Sequence, residues 1–210
     1  MTWFQRFWVG LQTLFDRGRQ GQRLKDEVQF HLDQQIAENI AAGMHPQAVD
    51  DVLCTPLHGD HVGWKTPRRD GRWVPMFPNA TYIISRKEWE HWETVHHATP
   101  LEHLADSVLP IVEAGLATFV ANDYALNDEV WLEPTPGHTP DHVSVHLASN
   151  GAHAVITGDM IHSPVQCAEP TWIPRPDFDR ALAHQTRQAF RFAYEYEENQ
   201  DRAAAITFPI

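Results

Sequence analysis

The sequence predicts a mixed α/β (α+β) domain, because short β-branched runs alternate with segments of helical periodicity. Residues 80–85, Ala-Thr-Tyr-Ile-Ile-Ser, illustrate the pattern: an apolar run of strand length follows a Pro-Asn turn and precedes a charged helical stretch. No tandem repeat or low-complexity segment interrupts this alternation. Strand and helix signals mixed in this way are typical of α/β and α+β folds.

The predicted elements follow in chain order. A strand at 51–56 leads into a polar loop, and the strand at 80–85 precedes a helix near 86–93 and a helical region near 100–113. A long helix near 177–199 carries an apolar stripe. Further short strands are predicted at 116–121, 129–133, 142–148, 152–157 and 204–208.

Composition limits the class of protein. The 210 residues include 42% apolar side chains, enough for the core of one domain. The formal net charge of −12 argues against nucleic acid as a partner, since phosphate backbones need a basic face. The two cysteines, Cys54 and Cys167, indicate no disulfide framework, and we expect a cytoplasmic protein.

Residues 1–45 form a predicted amphipathic helical leader. Within residues 3–15, aromatic and aliphatic side chains recur at three- and four-residue spacing, and arginines lie close to this segment. The pattern is typical of a helix on an anionic membrane surface, and equally of one docked on its own domain or on a partner. The stretch is too short and too charged to span a bilayer, and it lacks the apolar region of a signal peptide. A second helical pattern runs from Val28 to Ile40.

The most informative segment is residues 52–63, where a short apolar run ends and His58, Asp60 and His61 follow within four residues. Two imidazoles and a carboxylate on so short a loop suit a divalent metal, above all zinc. The alternative is a polar turn with incidental histidines.

Two later segments favour the metal interpretation. His138 lies in a Pro-Gly-His-Thr-Pro turn, and Asp159 follows Gly158 after a β-branched run. Each segment places a metal-binding side chain at the mouth of a turn beside a predicted strand. These two segments favour metal binding over an incidental polar turn.

These three motifs resemble those of the metallo-β-lactamase-fold hydrolases, in the branch that contains lactonases and organophosphate hydrolases. Residues 77–80, 158–166 and 177–179 also look like that branch. The resemblance covers residues 46–210 and implies an αββα sandwich with metals at the edge between two sheets.

The resemblance also implies a ligand set and a chemistry. One metal would be held by His58, His138 and a bridging Asp159, and the other by Asp60, His61 and the same Asp159. Asp60 would also act catalytically, by accepting a proton. The expected cofactor is zinc, as one or two ions, with manganese, iron or cobalt as alternatives. The implied activity is hydrolysis of a small-molecule ester, lactone or related bond by a metal-bound hydroxide.

The chain departs from the family pattern at both ends of the predicted domain. Pro56 stands where the family has its first motif histidine, and the sequence stops at Ile210, before the family's last histidine ligand. The usual leading strands are also missing or replaced. We therefore expect an incomplete sandwich with an exposed sheet edge. Formation of a homodimer is one way in which this edge would be covered.

The leader has a weaker resemblance of its own. Residues 24–44 are similar to the cytoplasmic N-terminal stretch of some bacterial ABC-type export permeases. No membrane span follows here, so transport is not inferred. The sequence thus predicts a junction between a leader, residues 1–45, and a hydrolase-like domain, residues 46–210.

Three functional hypotheses remain at this point. The chain is an impaired metal-dependent hydrolase, a catalytically inactive relative that serves as a binding module, or a fragment without independent function. Among the other histidines, His142 and His162 are expected to orient metal ligands, and either would replace a missing ligand only if its loop moved. Those in the charged helical region, His91, His96, His97 and His103, are expected to be solvated.

Overall fold

A computed structural model describes most of the chain from residue 45 onward. The residues described are 34, 38, 40, 41, 43, 45–63, 65–163, 165–169, 171–172, 174–196 and 202–205. The chain divides into two compact units, Met1–Ala48 and Val49–Ile210. The helix expected within residues 3–15 lies outside the described residues, and the boundary at residue 45 stays a prediction. Within the first unit, Pro46–Ala48 forms a 3₁₀ turn.

The first sheet is parallel and has the order β1-β4-β5, with strands Asp51–Leu53, Thr81–Ser85 and Ala117–Val120. The central strand β4 is buried on both faces, because helices cover one face at Ile84 and the second sheet covers the other at Ile83. The helices α2 (Arg86–Ala98), α3 (Glu102–Ser107) and α4 (Leu109–Glu113) connect β4 to β5. The apolar cluster that joins these elements includes Leu57, Val62, Ile84, Trp89, Leu104 and Val108.

The second sheet has the order β6-β7-β8-β9, with strands Val130–Pro134, Val143–Ser149, Ala152–Ile156 and Arg202–Ala205. The first three strands are antiparallel, and β9 is parallel to β8. A second apolar cluster packs the two sheets together. It contains Ile83 and Val120 from the first sheet and Leu132, Val143 and Val145 from the second.

The remaining elements are short, except for one long helix. A small hairpin pairs β2 (Arg68–Arg69) with β3 (Arg72–Trp73), and α1 (Gly59–Val62) and α5 (Val165–Ala168) are single turns. The long helix α6 spans Arg180–Tyr196. Its first turn is capped by Asp179, whose carboxylate accepts from the amides of residues 181 and 182 at 3.0 and 2.9 Å.

The predicted mixed α/β class is confirmed, and the elements differ from expectation mainly at their ends. Strand β1 stops at Leu53 because the chain turns toward the other sheet, where the Thr55 carbonyl accepts from Val143 N at 3.2 Å. The helical region near 100–113 is split into two helices. Pro110 has no amide to donate to the Asp106 carbonyl, which accepts from the Thr66 hydroxyl at 2.6 Å instead.

Strand β1 pairs only with β4 among the described strands and therefore lies at a sheet edge. A homodimer through this edge stays a prediction. No helix in the described ranges is both long enough and apolar enough to cross a membrane.

Candidate metal centre

Three connections at one end of the sheets bring the predicted ligands together. His58 lies just before α1 and His61 lies within it; α1 follows β1. His138 lies between β6 and β7, and Asp159 lies in the 3₁₀ turn Gly158–Met160 that follows β8. His58 and His138, which are 80 residues apart in the chain, therefore meet at one place.

The centre is organised around one oxygen of Asp159. The Nε2 atoms of His61 and His138 each lie 3.1 Å from Asp159 Oδ2. His58 Nδ1 lies 3.1 Å from His138 Nε2. Among the described residues, three donor groups have ligand atoms that all lie within 4.8 Å of one another: His58 with His138 and Asp159, Asp60 with His61 and Asp159, and His138 with His162 and Asp177.

These residues fit a divalent metal ion. Neighbouring ligand atoms around tetrahedral zinc lie about 3.3 Å apart, close to the separations found here. The second oxygen of Asp159, Oδ1, is buried and has no hydrogen-bond partner among the described residues. A buried, half-satisfied carboxylate surrounded by imidazoles is the charge arrangement that a cation would complete.

The protonation of the centre follows from its charges. Burial lowers the pKa of His138, but hydrogen bonds to Asp159 and Asp177 outweigh it and raise that pKa to about 9. Burial raises the pKa of Asp159, but the rings of His138 and His61 outweigh it and hold that pKa well below its usual range. Burial and the nearby His138 lower the pKa of His58 to about 4. A metal ion at His138 therefore competes with a proton.

Comparisons with known proteins bear on the fold. No family model and no curated protein matches the chain, but solved structures do. The hydrolase AbOPH of the β-lactamase superfamily is 29% identical over 83% of this chain, with a TM-score of 0.67. A probable metal-dependent hydrolase from Staphylococcus aureus (18% identity, 83% of this chain) has a TM-score of 0.66. The fold is metallo-β-lactamase-like.

A third neighbour is AidC, a dizinc quorum-quenching lactonase solved with the product N-hexanoyl-L-homoserine. It is 24% identical over 74% of this chain, with a TM-score of 0.60. The chain spans 62%, 59% and 56% of the length of AbOPH, the Staphylococcus aureus protein and AidC, respectively. It therefore carries the metallo-β-lactamase-like fold over about three fifths of the length of each.

Two buried residues, Asp177 and Arg187, orient the His138 ring. Asp177 Oδ1 lies 3.1 Å from His138 Nδ1, and Arg187 on α6 lies 2.6 Å from the other oxygen of Asp177. Arg187 also donates to the Met160 carbonyl at 2.7 Å, which ties α6 to the turn that carries Asp159. A carboxylate on the far nitrogen of a ligand histidine fixes the ring and increases its basicity. The sequence pattern contained no signal for Arg187.

Glu88 connects the two histidine loops and was also missed from the sequence. Its side chain is buried on α2; Oε1 accepts from Leu57 N at 3.3 Å and Trp92 Nε1 at 2.7 Å. Oε2 accepts from Asp141 N at 3.0 Å. One carboxylate therefore anchors the loop before His58 and the turn after His138. In the sequence, Glu88 cannot be distinguished from the exposed charged residues on the same helix.

His142 supports the centre by packing. It is fully buried, its Nδ1 lies 2.8 Å from the Thr135 hydroxyl, and its ring centre lies 6.0 Å from that of His138. Burial lowers the pKa of His142 to about 3, so the ring is neutral. Gly158 lies against it with φ +51°; a Cβ there would come within 2.5 Å of Thr55 Oγ1 and 2.9 Å of His142 Nε2.

The other predicted site residues have different environments. The Asp60 carboxylate is about half exposed and lies 3.5 Å from His61 Nε2. Pro56 is buried and offers no side-chain donor. His162 lies closer than expected: its Nε2 is 3.6 Å from Asp159 Oδ2. The expectation that His103 is a solvated residue is wrong, because it packs against Trp92 and its Nε2 is buried.

Proposed function

We propose that the chain is a metal-dependent hydrolase of an ester, lactone or related bond. The supporting observation is that His61 and His138 both approach one oxygen of Asp159 at 3.1 Å while its other oxygen is buried and unpaired among the described residues. Zinc is the expected metal, with manganese, iron or cobalt as alternatives. The proposed ligands are His58, His138 and Asp159 for one ion, and Asp60, His61 and Asp159 for a second.

The ion and the protein side chains would have different roles in hydrolysis. A bound divalent ion would polarise a carbonyl or phosphoryl oxygen and acidify a nearby water molecule. Asp159 provides a fixed negative charge, since its neighbouring imidazoles keep it ionised. Asp60, half exposed beside His61, is positioned to accept a proton from solvent or from a reacting water, and we assign it that role.

The substrate is proposed to be a small, largely apolar molecule. Phe178 is 61% exposed, yet its amide donates to the His138 carbonyl at 3.1 Å, so its backbone is held beside the centre. Its ring lies 5.1 Å from that of His91, and the Trp92 ring lies 5.3 Å from that of His58. Aromatic rings beside the metal ligands suit an acyl or aryl group. The net charge of −12 disfavours polyanionic substrates.

We propose that activity is impaired relative to a complete ligand set. Pro56 contributes no donor where the resembling enzymes have a histidine, so the His58 half has one imidazole fewer. Losing a ligand lowers metal affinity and makes occupancy depend on metal concentration. The same residue supports the second candidate, an inactive relative that serves as a binding module. In that case, the leader residues 3–15 would contact a membrane surface or a partner.

Metal content separates the two candidates. The full chain, purified without chelator, should contain about one or two equivalents of zinc, manganese or iron by elemental analysis, and it should hydrolyse ester, lactone or phosphotriester substrates. Asp159→Asn should abolish both properties. Asp128→Asn, an exposed change at the opposite end of β6 from His138, should alter neither. Absence of metal, persisting after zinc is added back, would refute the hydrolase and favour the binding module.

A further inference from the structure

We propose that His162 is a metal ligand in the His58–His138 half of the centre and supplies the donor that Pro56 lacks. This inference rests on the proposed function in one respect, that the centre binds a divalent ion. It assigns a ligand outside the set that the family resemblance implies, and the structural comparisons do not identify it.

The position of His162 is the first support. Its Nε2 lies 3.6 Å from Asp159 Oδ2, the oxygen that His61 and His138 approach at 3.1 Å. Its ring centre lies 4.7 Å from that of His138. Three imidazole Nε2 atoms thus surround one carboxylate oxygen, without any movement of the loops.

The second support is that the His162 ring makes no hydrogen bond among the described residues. Both ring nitrogens are buried, and neither has a hydrogen-bond partner within the part of the chain that the structure describes. A neutral imidazole carries one donor and one acceptor, and burying both unpaired is unfavourable. A cation at Asp159 would pair the Nε2 lone pair directly.

The third support is that the loop holding His162 is fixed. Gln166 is buried, and its side-chain oxygen accepts from the amides of His162 and Ser163 at 2.7 and 3.1 Å. The amide nitrogen of the same side chain donates to the Trp172 carbonyl at 3.1 Å. A ligand must be held near its binding geometry to contribute affinity, and Gln166 provides this restraint.

A competing assignment would place the ion between His138, His162 and Asp177, whose ligand atoms also lie within 4.8 Å of one another. There, one Asp177 oxygen faces His138 Nδ1 at 3.1 Å and the other faces Arg187 at 2.6 Å. A cation at Asp177 would meet the positive charge of Arg187. Asp159, with an unpaired oxygen among the described residues and no guanidinium against it, is therefore the favoured partner.

The test is zinc binding to the full-length chain labelled with ¹⁵N-histidine. Long-range proton–nitrogen spectra distinguish a metal-bound imidazole nitrogen from a protonated or free one, and His162→Gln assigns the His162 signal. Affinity is measured by competition with a chromophoric chelator. His153→Gln, at the start of β8 and far along the strand from Asp159, is the matched control. Folding of each metal-free variant is checked by circular dichroism.

If His162 is a ligand, zinc should shift its Nε2 signal into the metal-bound range, and His162→Gln should weaken binding by at least about tenfold, the lower limit for losing even an outer-shell partner. His153→Gln should bind zinc as the wild type does. If His162→Gln fails to fold, His162→Asp retains a donor and should keep part of the affinity. Unchanged affinity and an unshifted nitrogen, with zinc bound to the wild type, would overturn this inference and leave the proposed function standing. A wild type that binds no zinc would overturn both.

Discussion

The guanidinium of Arg187 lies 2.6 Å from the carboxylate of Asp177, and both side chains are buried. This pair links helix α6 to His138, because the other Asp177 oxygen faces His138 Nδ1 at 3.1 Å. Arg187 also holds the Met160 carbonyl, one residue beyond Asp159. The position of the proposed metal ligands therefore depends on a helix outside the proposed ligand set.

We expect Arg187→Met to destabilise the protein by about 3–5 kcal/mol, since it leaves the buried Asp177 carboxylate without its cation. Urea unfolding of the metal-free protein measures this change. Adding Asp177→Asn to the variant should recover part of the loss, because the unpaired charge is removed. Arg180→Met, an exposed change at the start of the same helix, is the control and should cost under about 0.5 kcal/mol. Equal losses for Arg187→Met and Arg180→Met would show that the pair does not stabilise the fold.

Glu88→Gln should weaken the connection between the two histidine loops. Glutamine keeps one acceptor oxygen but presents an amide group to either Leu57 N or Asp141 N, where the carboxylate accepted a hydrogen bond. A buried amide left unpaired costs about 1–3 kcal/mol, and we expect a loss of that size in urea unfolding together with weaker zinc binding. Glu90→Gln on the exposed side of α2 should change neither quantity. A stability loss without weaker zinc binding would mean that Glu88 stabilises the fold without orienting the ligands.

Site residues could be identified from the sequence where metal-binding side chains lie in recognisable local motifs. His58, Asp60 and His61 lie within four residues, and His138 and Asp159 lie in recognisable turns, so the family resemblance implied their convergence. Glu88 and Arg187 could not be identified in this way, because their roles depend on partners far away in the chain. Glu88 meets Leu57 and Asp141, which are 31 and 53 residues away. On a helix, a buried acid with distant partners has the same local pattern as a solvated one.

The ends of the helices and strands also depend on distant contacts as well as on local sequence. The break between α3 and α4 follows from Pro110, which is visible in the sequence, but only the tertiary contact of Thr66 with the Asp106 carbonyl makes that break favourable. The early end of β1 depends on the contact between Thr55 and Val143 across the two sheets. Neither contact can be inferred from the helix or strand propensity of the residues involved.

Gly158→Ala should disrupt the turn that carries Asp159. Its φ of +51° is in the left-handed region, and an added Cβ would lie 2.5 Å from Thr55 Oγ1 and 2.9 Å from His142 Nε2. Gly151→Ala is a matched control, because Gly151 also has a positive φ, +82°, but a Cβ there meets nothing within 4 Å. The control should cost about 1 kcal/mol from backbone strain, and Gly158→Ala should cost about 1–3 kcal/mol more and abolish zinc binding. Similar losses of stability and zinc binding in both variants would exclude steric contact as the cause.

The stability of the metal-free protein should fall in mild acid, in part because His142 is buried and neutral, and His58 adds a loss of the same sign. Burial lowers its pKa from 6.5 to about 3, so below pH 6.5 the unfolded chain takes up a proton that the folded chain excludes. Stability is therefore lost as the pH falls from 6.5 toward 3, by about 1.4 kcal/mol per pH unit for this group. His138, whose pKa is raised to about 9, contributes fully below pH 6.5 and adds no slope in this range.

Urea unfolding at several pH values, in the presence of chelator, measures that slope. His142→Gln should reduce the slope by about 1.4 kcal/mol per pH unit, the contribution of one proton, between pH 6.5 and 4. Thr135→Val is the matched control: it removes the hydrogen bond to His142 Nδ1 but leaves the ring buried, so the slope should remain. An unchanged slope in His142→Gln would mean that other groups cause the acid sensitivity.

Pro56→His should raise zinc affinity by restoring an imidazole at the position where the resembling enzymes have one. Pro56 lies two residues before His58, in the segment that Thr55 and Leu57 anchor through backbone hydrogen bonds. Because the site is buried, the larger side chain should cost about 1–3 kcal/mol of stability in the metal-free protein. Pro56→Gln carries a similar steric cost without an imidazole and is the control. Competition with a chelator should show tighter zinc binding for Pro56→His alone, and ester or lactone turnover should rise with it. Equal affinities for the two variants would mean that residue 56 does not reach the metal.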